Sequence, residues 1–596
     1  MSDKSNGKER KAEQQKNTED EIVVDKAEFK WSDLYKQEDW WAIWLGAIVL
    51  IIGLLIFLPN PPKDLEQKIG QYNAIMEQEA QSAPFKTLAW HQANMEKKAI
   101  KAKNEPLAKE ISSYLSKPKK WEDNPIQAFY MSEEQAKAKS EAALPKYEEA
   151  KKETQELLLL AKEAEAKAKA AGFKDETLNQ KAKETINKWK EAAEKEAKLK
   201  KAANVKPYNL IPSLIILCIV FGLLFAIGTH FMGRSVVQFA KGFAFVFLLA
   251  VIAYFISAQV NIKAMGIGYV AWALVLGLLI SNTIGTPKWI MPAVQTEYYI
   301  KTGLVILGAS ILIGKILLIG IPGIFVTWVV TPIVLITTFW FGQKVLKIPS
   351  KTLNITISAD MSVSGVSAAI AAAAACRAKK EELTLSVGMS IIFTAIMMIL
   401  LPMFIKAIGM CHVWGGAWIG GTVDSTGAVV AAGAILSDTA MYVAATIKMI
   451  QNVLIGVMAF GIAWYWCVKV DCAQGQKVSY KEIWYRFPKF VLGFLGASAI
   501  FSILYEMLGH DIARVMIDEG VIGGFSNTIR GWFFCLAFAS IGLATNFREL
   551  TKYLKGGKPV ILYICGQSFN ILLTLIVAYI MFYLVFPDIT EQILAM

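Results

Sequence analysis

From residue 209 to the C-terminus, apolar residues recur in runs of roughly 20, the length that a helix needs to cross a bilayer. A further run at 40–59 follows a polar leader and lacks a small-residue cleavage site, so it predicts a retained anchor rather than a cleaved signal peptide. The chain is therefore expected to be an all-α polytopic membrane protein with about 10–13 transmembrane segments. The segments predicted after the anchor are 208–228, 238–257, 264–285, 297–318, 320–341, 384–409, 440–467, 489–508, 529–546 and 557–587.

Residues 60–206, between the anchor and the membrane region, are rich in Lys, Glu, Ala and Gln. Strong helix formers with few apolar positions predict a helical hairpin or coiled-coil-like polar domain there. The absence of a phosphate-binding loop or ligand cluster favours a spacer, partner-binding or self-association role over an active site. Helix interruptions are predicted at Pro84, Pro106, Pro118 with Pro125, Pro145 and residues 171–173. The predicted domains are a polar tail at 1–39, the anchor at 40–59, the polar domain at 60–206, the membrane domain at 207–587 and a C-terminal tail at 588–596.

Two segments of the membrane region depart from the apolar pattern. Residues 352–376 and 415–436 are dense in Gly, Ala, Ser and Thr, and each carries one aspartate, Asp360 or Asp424. Small residues are also common where membrane helices pack tightly, which leaves that alternative open. A carboxylate at a helix centre costs at least about 2.5 kcal/mol, so it favours a cavity or a partner unless it lies near an interface. We therefore predict two interrupted or crossing helices whose exposed ends bind a solute or an ion.

Lys448 is a further charge within a predicted membrane helix, about two turns from its start near residue 440. Its side chain could snorkel to an interface, pair with Asp424, or face a cavity and attract an anion. Asn452 follows at i+4 and shares its helical face. Asp438, just before this helix, is expected to be a helix-start carboxylate rather than a site residue.

The formal net charge of +12 raises nucleic acid as a partner, but the basic residues cluster in short loops beside apolar segments. Such loops are typical of the cytoplasmic face, so no nucleic-acid partner is expected. Suppose that the basic loops 377–382, 469–489 and 548–558 are all cytoplasmic. The number of spans between them then requires that segment 415–436 enters and leaves on one side or breaks at mid-membrane. If 352–376 does likewise, the polar domain lies outside, which we favour; if 352–376 spans fully, the polar domain is cytoplasmic.

Several motifs occur in an order that is similar to a known family. They are "LVLGLLISNTIG" (274–285), "KTGLVILGASI" (301–311), "SVSGVSAAIAA" (362–372), "TVDSTGAVVAAG" (422–433), "ATIKMIQNVLI" (445–455) and "ASIGLATNFREL" (539–550). Together they resemble a bacterial family of multi-pass transporters named for sulfate export, over residues 209–587. The resemblance implies crossed, interrupted helices in a bile-acid/sodium symporter-like fold. This chain has Ser364 where the family has a cysteine, and Gln451 where the family often has an arginine. Arginine can bind an anion through two hydrogen bonds, so its loss leaves open whether sulfate is the solute.

The expected function is secondary active transport of a small anionic solute, sulfate-like or organic, across the cytoplasmic membrane by alternating access. Asp424 and Asp360 would bind the coupling H⁺ or Na⁺, with Na⁺ placed near Asp424, while Lys448 and Asn452 add positive potential and polarity. No nucleotide-binding loop or catalytic constellation is present, so neither an enzyme nor a cofactor is expected. A transporter-like sensor or scaffold is the alternative, with a protein partner or a second copy of the chain held by residues 60–206. The remaining residues expected to line the solute site are Ser364, Gly365, Ser367, Ser425, Thr426 and Gly427.

Overall fold

The computed structural model describes residues 22–23, 30–470, 480–548 and 557–594. These residues are almost entirely helical, with one short antiparallel pair of strands, β1 (Tyr130–Met131) and β2 (Tyr208–Asn209). Helices of eight or more residues are α1 Glu38–Phe57, α2 Leu65–Ser82, α3 Leu88–Ala99, α4 Pro106–Tyr114, α5 Glu133–Ala170, α6 Glu176–Ala202, α7 Ile211–Phe231, α8 Val236–Ala258, α9 Tyr269–Thr283, α10 Thr296–Ser310, α11 Ile313–Lys344, α12 Lys351–Ser362, α13 Val366–Cys376, α14 Lys380–Ala407, α15 His412–Thr422, α16 Thr426–Leu436, α17 Asp438–Lys469, α18 Phe490–Leu508, α19 His510–Ala544, α20 Lys558–Val585 and α21 Pro587–Leu594.

Nine helices of the described residues are long and apolar enough to cross a membrane, namely α1, α7, α8, α11, α14, α17, α18, α19 and α20. The predicted all-α polytopic fold is thereby confirmed. Two boundaries of the predicted membrane segments are different in the structure. The segments 297–318 and 320–341 divide at residues 311–312 instead, and the segment 529–546 is the second half of the longer α19.

The helix bundle has two faces, which we call the first face, where α1 begins, and the second face, where α1 ends. At the first face, Asp39 of α1 accepts a hydrogen bond from the backbone amide of Lys489 at 2.8 Å, and its carboxylate lies 2.9 Å from Lys301 Nζ. Val23 also lies there, where its amide donates to the carbonyl oxygen of Ala378. The loop that contains Ala378 and the start of α18 therefore share one face.

The α12–α13 segment is a hairpin that enters and leaves at the first face. Thr352, near the start of α12, donates to Glu382 over 2.8 Å, and Thr356 lies 3.9 Å from Cys376 at the end of α13. Its tip is at Gly365, whose φ of +59° is a conformation that favours glycine. Residues 352–376 therefore turn back at their centre rather than span the bundle.

The α15–α16 segment forms a second hairpin, which enters from the second face. A Cβ added at Gly415 would lie 3.1 Å from Leu436, so the two ends of the hairpin are adjacent. Its turn covers residues 423–425, and Ser425 caps α16 by accepting from the amide of Ala428 at 3.5 Å. The hairpins thus approach each other from opposite faces, with their tips in the bundle interior.

The polar domain lies against the second face. Its two long helices, α5 and α6, pack side by side as the predicted hairpin. Trp121 stacks on Phe255 at 4.8 Å, and Lys97 pairs with Asp511 at 2.6 Å. The loop with Ala378 and the start of α18 lie at the first face. The polar domain is therefore on the opposite side of the bundle from those basic loops. Residues 471–479 and 549–556 of the basic loops lie outside the described residues.

One predicted interruption in the polar domain is wrong, because Pro145 lies inside α5 without ending it. An internal proline removes one backbone donor, and here strong helix formers on both sides continue the helix. The predicted break at 171–173 is present, with Gly172 and Phe173 both at positive φ. The region predicted as a C-terminal tail forms α21 up to Leu594, and most of the predicted N-terminal tail lies outside the described residues.

Candidate functional site

The C-terminal ends of both hairpins' first helices are joined by one side chain from α17. Gln451 donates its amide hydrogens to the carbonyl oxygens of Ser362 and Gly421, each at 3.2 Å. These carbonyls have no partner within their own helices, because α12 and α15 end there. Gln451 therefore satisfies two helix ends at once and fixes the distance between the two tips.

The neighbouring carbonyls at these ends are also occupied by side-chain donors. Lys448 Nζ donates to Val363 O at 2.6 Å, Gln567 to Thr422 O at 3.0 Å and Asn570 to Met361 O at 3.1 Å. All five carbonyl oxygens thus receive a donor from α17 or α20. The negative ends of the two half-helices face an ammonium and three amides.

Asp360 and Asp424 approach each other across Gly365. Both carboxylates are buried, with residue exposures of 0 % and 1 %. A Cβ added at Gly365 would lie 3.2 Å from Asp424 Cβ and 3.7 Å from Asp360 Oδ1. Only a glycine tip leaves room for two carboxyl groups this close, so the hairpin turn and the aspartate pair are one structural unit.

Hydroxyl groups of α14 and α20 hold the two carboxylates. Ser386 donates to Asp360 Oδ2 at 2.6 Å, while Tyr563 donates to Asp424 Oδ2 at 2.8 Å and Thr394 at 3.4 Å. Asp360 Oδ1 is buried and has no hydrogen-bond partner among the described residues. One carboxylate oxygen of the pair, Asp360 Oδ1, is therefore free to accept a hydrogen bond in the gap beside Gly365.

Lys448 neither snorkels to an interface nor pairs directly with an aspartate. It is 1 % exposed, and its ammonium bonds Val363 O and Gln451 Oε1, the latter at 2.7 Å. Lys448 forms no ion pair within the part of the chain that the structure describes.

The N-terminal ends of α13 and α16 lie on a cavity of about 550 Å³ that opens at the first face. Its floor carries Ser364 and Ser367 from the first hairpin and Thr426 and Asn452 from the second hairpin and α17. Asn452 donates to Thr426 Oγ1 at 3.0 Å, and its own Oδ1 is buried without a partner among the described residues. Backbone amides at such helix starts attract anions.

The mouth of this cavity carries charges of both signs. The lining includes three acidic residues, Asp33, Asp39 and Glu297, and three basic ones, Lys301, Arg486 and Lys489. Lys301 neutralises the acids of α1, and burial lowers the pKa of the Lys489 ammonium to about 8 against the attraction of Asp39. The net charge at the cavity mouth is therefore close to zero. Any preference for an anion has to come from the residues at the cavity floor.

The structure brings the predicted site residues together in two layers. Ser364, Ser367, Thr426 and Asn452 line the cavity, whereas Asp360, Gly365, Asp424, Ser425 and Lys448 form the tips and the layer behind them. Gly427 lies in the first turn of α16, where a Cβ would be 3.7 Å from Ser425 Oγ and 3.6 Å from Ile541. Among the described residues, no group of three or more His, Cys, Asp or Glu side chains is placed to hold a metal ion.

Sequence reasoning missed one polar face. Tyr563, Gln567, Asn570 and Thr574 are spaced at i, i+4, i+7 and i+11 in an otherwise apolar segment. That spacing places them on one side of a helix, so the signal was present. The segment 557–587 was predicted only as a membrane helix, whereas this face supplies donors to both broken helices.

The comparisons with known proteins agree with this architecture at the level of the family. The family described as Conserved hypothetical protein 698 matches residues 241–563. A UPF0324 membrane protein of Nitratidesulfovibrio vulgaris is 57 % identical over 96 % of this chain and 99 % of its own length. A UPF0324 membrane protein of Rhodopirellula baltica is 46 % identical over 94 % and 92 %, respectively. No solved structure matches the chain. The chain therefore belongs to the UPF0324 family of multi-pass membrane proteins.

Proposed function

We propose that this protein is a secondary transporter that moves a small anionic solute by alternating access. The observation that carries the proposal is the pair of broken helices that meet tip to tip from opposite faces. Irregular backbone at membrane depth occurs where it is covered by protein or lines a cavity, and interrupted helices are typical of transporter binding sites. The cavity that reaches the starts of α13 and α16 from the first face is the solute site in one of the two access states.

A small anion fits the floor of the cavity better than a cation does. Two helix N-termini, the hydroxyls of Ser364, Ser367 and Thr426, and no carboxylate lie there. Lys448 adds positive charge one layer below. Sulfate-like and small organic anions share this chemistry, and the sulfate-export resemblance and the symporter-like fold remain predictions.

The coupling ion that suits the site is a proton. Sodium prefers oxygen ligands, but the carbonyl oxygens of residues 361–363, 421 and 422 already accept donors. Lys448 therefore occupies the place that a coupling cation would take at the end of α12. Two buried carboxyl groups that share one site favour binding a proton between them, and Asp360 and Asp424 are the pair.

The basic loops give the orientation. Lys379, Lys380 and Lys489 lie at or beside the first face, and short loops rich in Lys and Arg are retained in the cytoplasm. The first face is accordingly cytoplasmic and the polar domain external, in the cytoplasmic membrane. The cavity then faces inward.

Reconstituted liposomes test the function directly. A panel of small anions is offered with an imposed pH gradient, and solute-dependent uptake is expected for the natural chain. Asp424→Asn should abolish gradient-driven uptake, whereas Asp438→Asn is the matched control, because Asp438 is an exposed carboxylate at the start of α17. Unaltered gradient-driven flux in Asp424→Asn would remove the coupling role, and ligand binding without any flux would favour the sensor or scaffold.

A further inference from the structure

A second cavity, of about 400 Å³, lies between the polar domain and the second face. Its charged lining residues are Lys117 and Lys120 from the polar domain and Lys263 from the segment after α8. The lining contains no acidic residue. A Cβ added at Gly266 in this lining would lie 3.1 Å from Lys406 Nζ, so a fourth lysine stands at the rim.

Buried polar groups without partners lie behind this lining. A Cβ added at Gly531 of α19 would lie 3.0 Å from Tyr254 OH and 3.1 Å from Lys117 Nζ, so both atoms converge on one point of that helix. The Tyr254 hydroxyl is buried and has no hydrogen-bond partner among the described residues. The adjacent Arg530 is only 8 % exposed, and its Nη1 likewise has no partner there.

These cations are not compensated by carboxylates. Lys117 and Arg530 make no ion pair with any residue in the described ranges, and their closest aromatic contacts are Tyr254 at 5.2 Å and Tyr442 and Phe534 at 6.0 Å. Burial lowers the pKa of the Lys117 ammonium, and Arg530 lowers it further, while Cys535 opposes them. Arg530 is buried and Lys117 is half-buried. A buried charge without a partner is costly, so an anion would stabilise a site of this composition.

We propose that this cavity is an oxyanion-binding site on the polar-domain side of the protein, with Lys117 and Tyr254 of its lining as donors and the nearby buried Arg530 adding positive charge. An ammonium and a phenol can donate to the several oxygens of a sulfate, phosphate or carboxylate group, and a nearby guanidinium adds attraction for its charge. The volume holds a small oxyanion together with water, and the exposed lysines at the rim raise the local anion concentration. The site goes beyond the proposed transport function and does not depend on it.

The same chemistry is offered by a free oxyanion and by a phospholipid headgroup, so the test has two arms. The full chain in neutral detergent is titrated with sodium sulfate against sodium chloride of equal ionic strength, and separately with phosphatidylglycerol against phosphatidylcholine. The midpoint of thermal unfolding is followed, since a ligand that binds the folded state raises it by mass action. Sulfate also stabilises proteins by exclusion from their surface, so only a rise that Lys117→Gln loses identifies the free anion, and such a rise with phosphatidylglycerol alone identifies the headgroup.

Matched variants locate the response. Lys117→Gln should weaken the apparent affinity by at least about ten-fold, which corresponds to about 1.4 kcal/mol. Lys119→Gln is the control, because its ammonium lies 3.7 Å over the Tyr208 ring and is not part of the lining. Ser367→Leu narrows the first-face cavity and should leave the response intact. The proposal is overturned if neither anion raises the midpoint, if Lys117→Gln responds as the natural chain does, or if only Ser367→Leu removes the response.

Discussion

Lys448 Nζ lies 2.6 Å from the carbonyl oxygen of Val363, so this ammonium from α17 caps the C-terminal end of the half-helix α12. The same nitrogen bonds Gln451, which in turn holds the carbonyls of Ser362 and Gly421. One turn of α17 therefore anchors the tips of both hairpins. Movement of α17 relative to either hairpin would break these bonds together.

Replacing this lysine should destabilise the fold as well as stop transport. Lys448→Met leaves Val363 O and Gln451 Oε1 without their donor, at a cost of about 1–3 kcal/mol for each unsatisfied buried group. Thermal unfolding in detergent measures the loss. Lys469→Met, at the exposed end of the same helix, should unfold at the same temperature as the natural chain.

A methyl group at the first hairpin's tip should separate the two aspartates. Gly365→Ala places a Cβ 3.0 Å from Ser390 Oγ and 3.2 Å from Asp424 Cβ, at a φ of +59° that alanine rarely adopts. We expect proton-coupled uptake to fall by at least about ten-fold, the effect of about 1.4 kcal/mol. Gly409→Ala is the control, because Gly409 has a similar φ of +63° and its added Cβ would meet no atom within 4 Å. Equal uptake by the two variants would contradict the role of Gly365.

The sequence was sufficient for the fold class and for the two broken helices. Carboxylates and small residues in otherwise apolar segments have few uses in a membrane, so Asp360 and Asp424 could be selected from pattern alone. The hairpin form of 352–376 could not be chosen in advance, since a re-entrant and a spanning helix share one composition. Contacts such as Thr352 to Glu382 settle that point, and they depend on tertiary packing.

The partners of the broken helices were harder to predict. In the sequence, Gln451 stands out only as a replacement for a family arginine, yet it bonds both tips. A glutamine in a membrane helix signals a polar partner without saying which one. Gln567 and Asn570 lie more than a hundred residues from the carbonyls that they contact, so single-sequence spacing carries no information on the pairing.

Acid should loosen the polar domain through His91 of α3. Burial lowers the pKa of His91 below its usual 6.5, and Lys190 and Lys86 lower it further. The unfolded domain then binds more protons than the folded one in the window between the lowered pKa and 6.5, so stability falls as pH drops through that window. Hydrogen exchange of α3, compared at about pH 7.5 and about pH 5.5, should show this loss. His91→Gln should reduce the difference, while His230→Gln, at the exposed end of α7, should retain it.

Sodium should be dispensable for transport. The five carbonyl oxygens at the ends of α12 and α15 are bonded to Lys448, Gln451, Gln567 and Asn570, so a sodium ion would have to displace protein donors to be coordinated there. Replacing sodium by potassium on both sides of a liposome should leave uptake unchanged, whereas collapsing the pH gradient with a protonophore should abolish it. Suppose instead that uptake requires sodium and that the Asp424→Asn variant is inactive. The Asp424 carboxylate would then keep its coupling role, but the coupling ion would be sodium rather than a proton. This outcome would also mean that α17 or α20 withdraws a donor in the other access state, because only then does a carbonyl ligand become free.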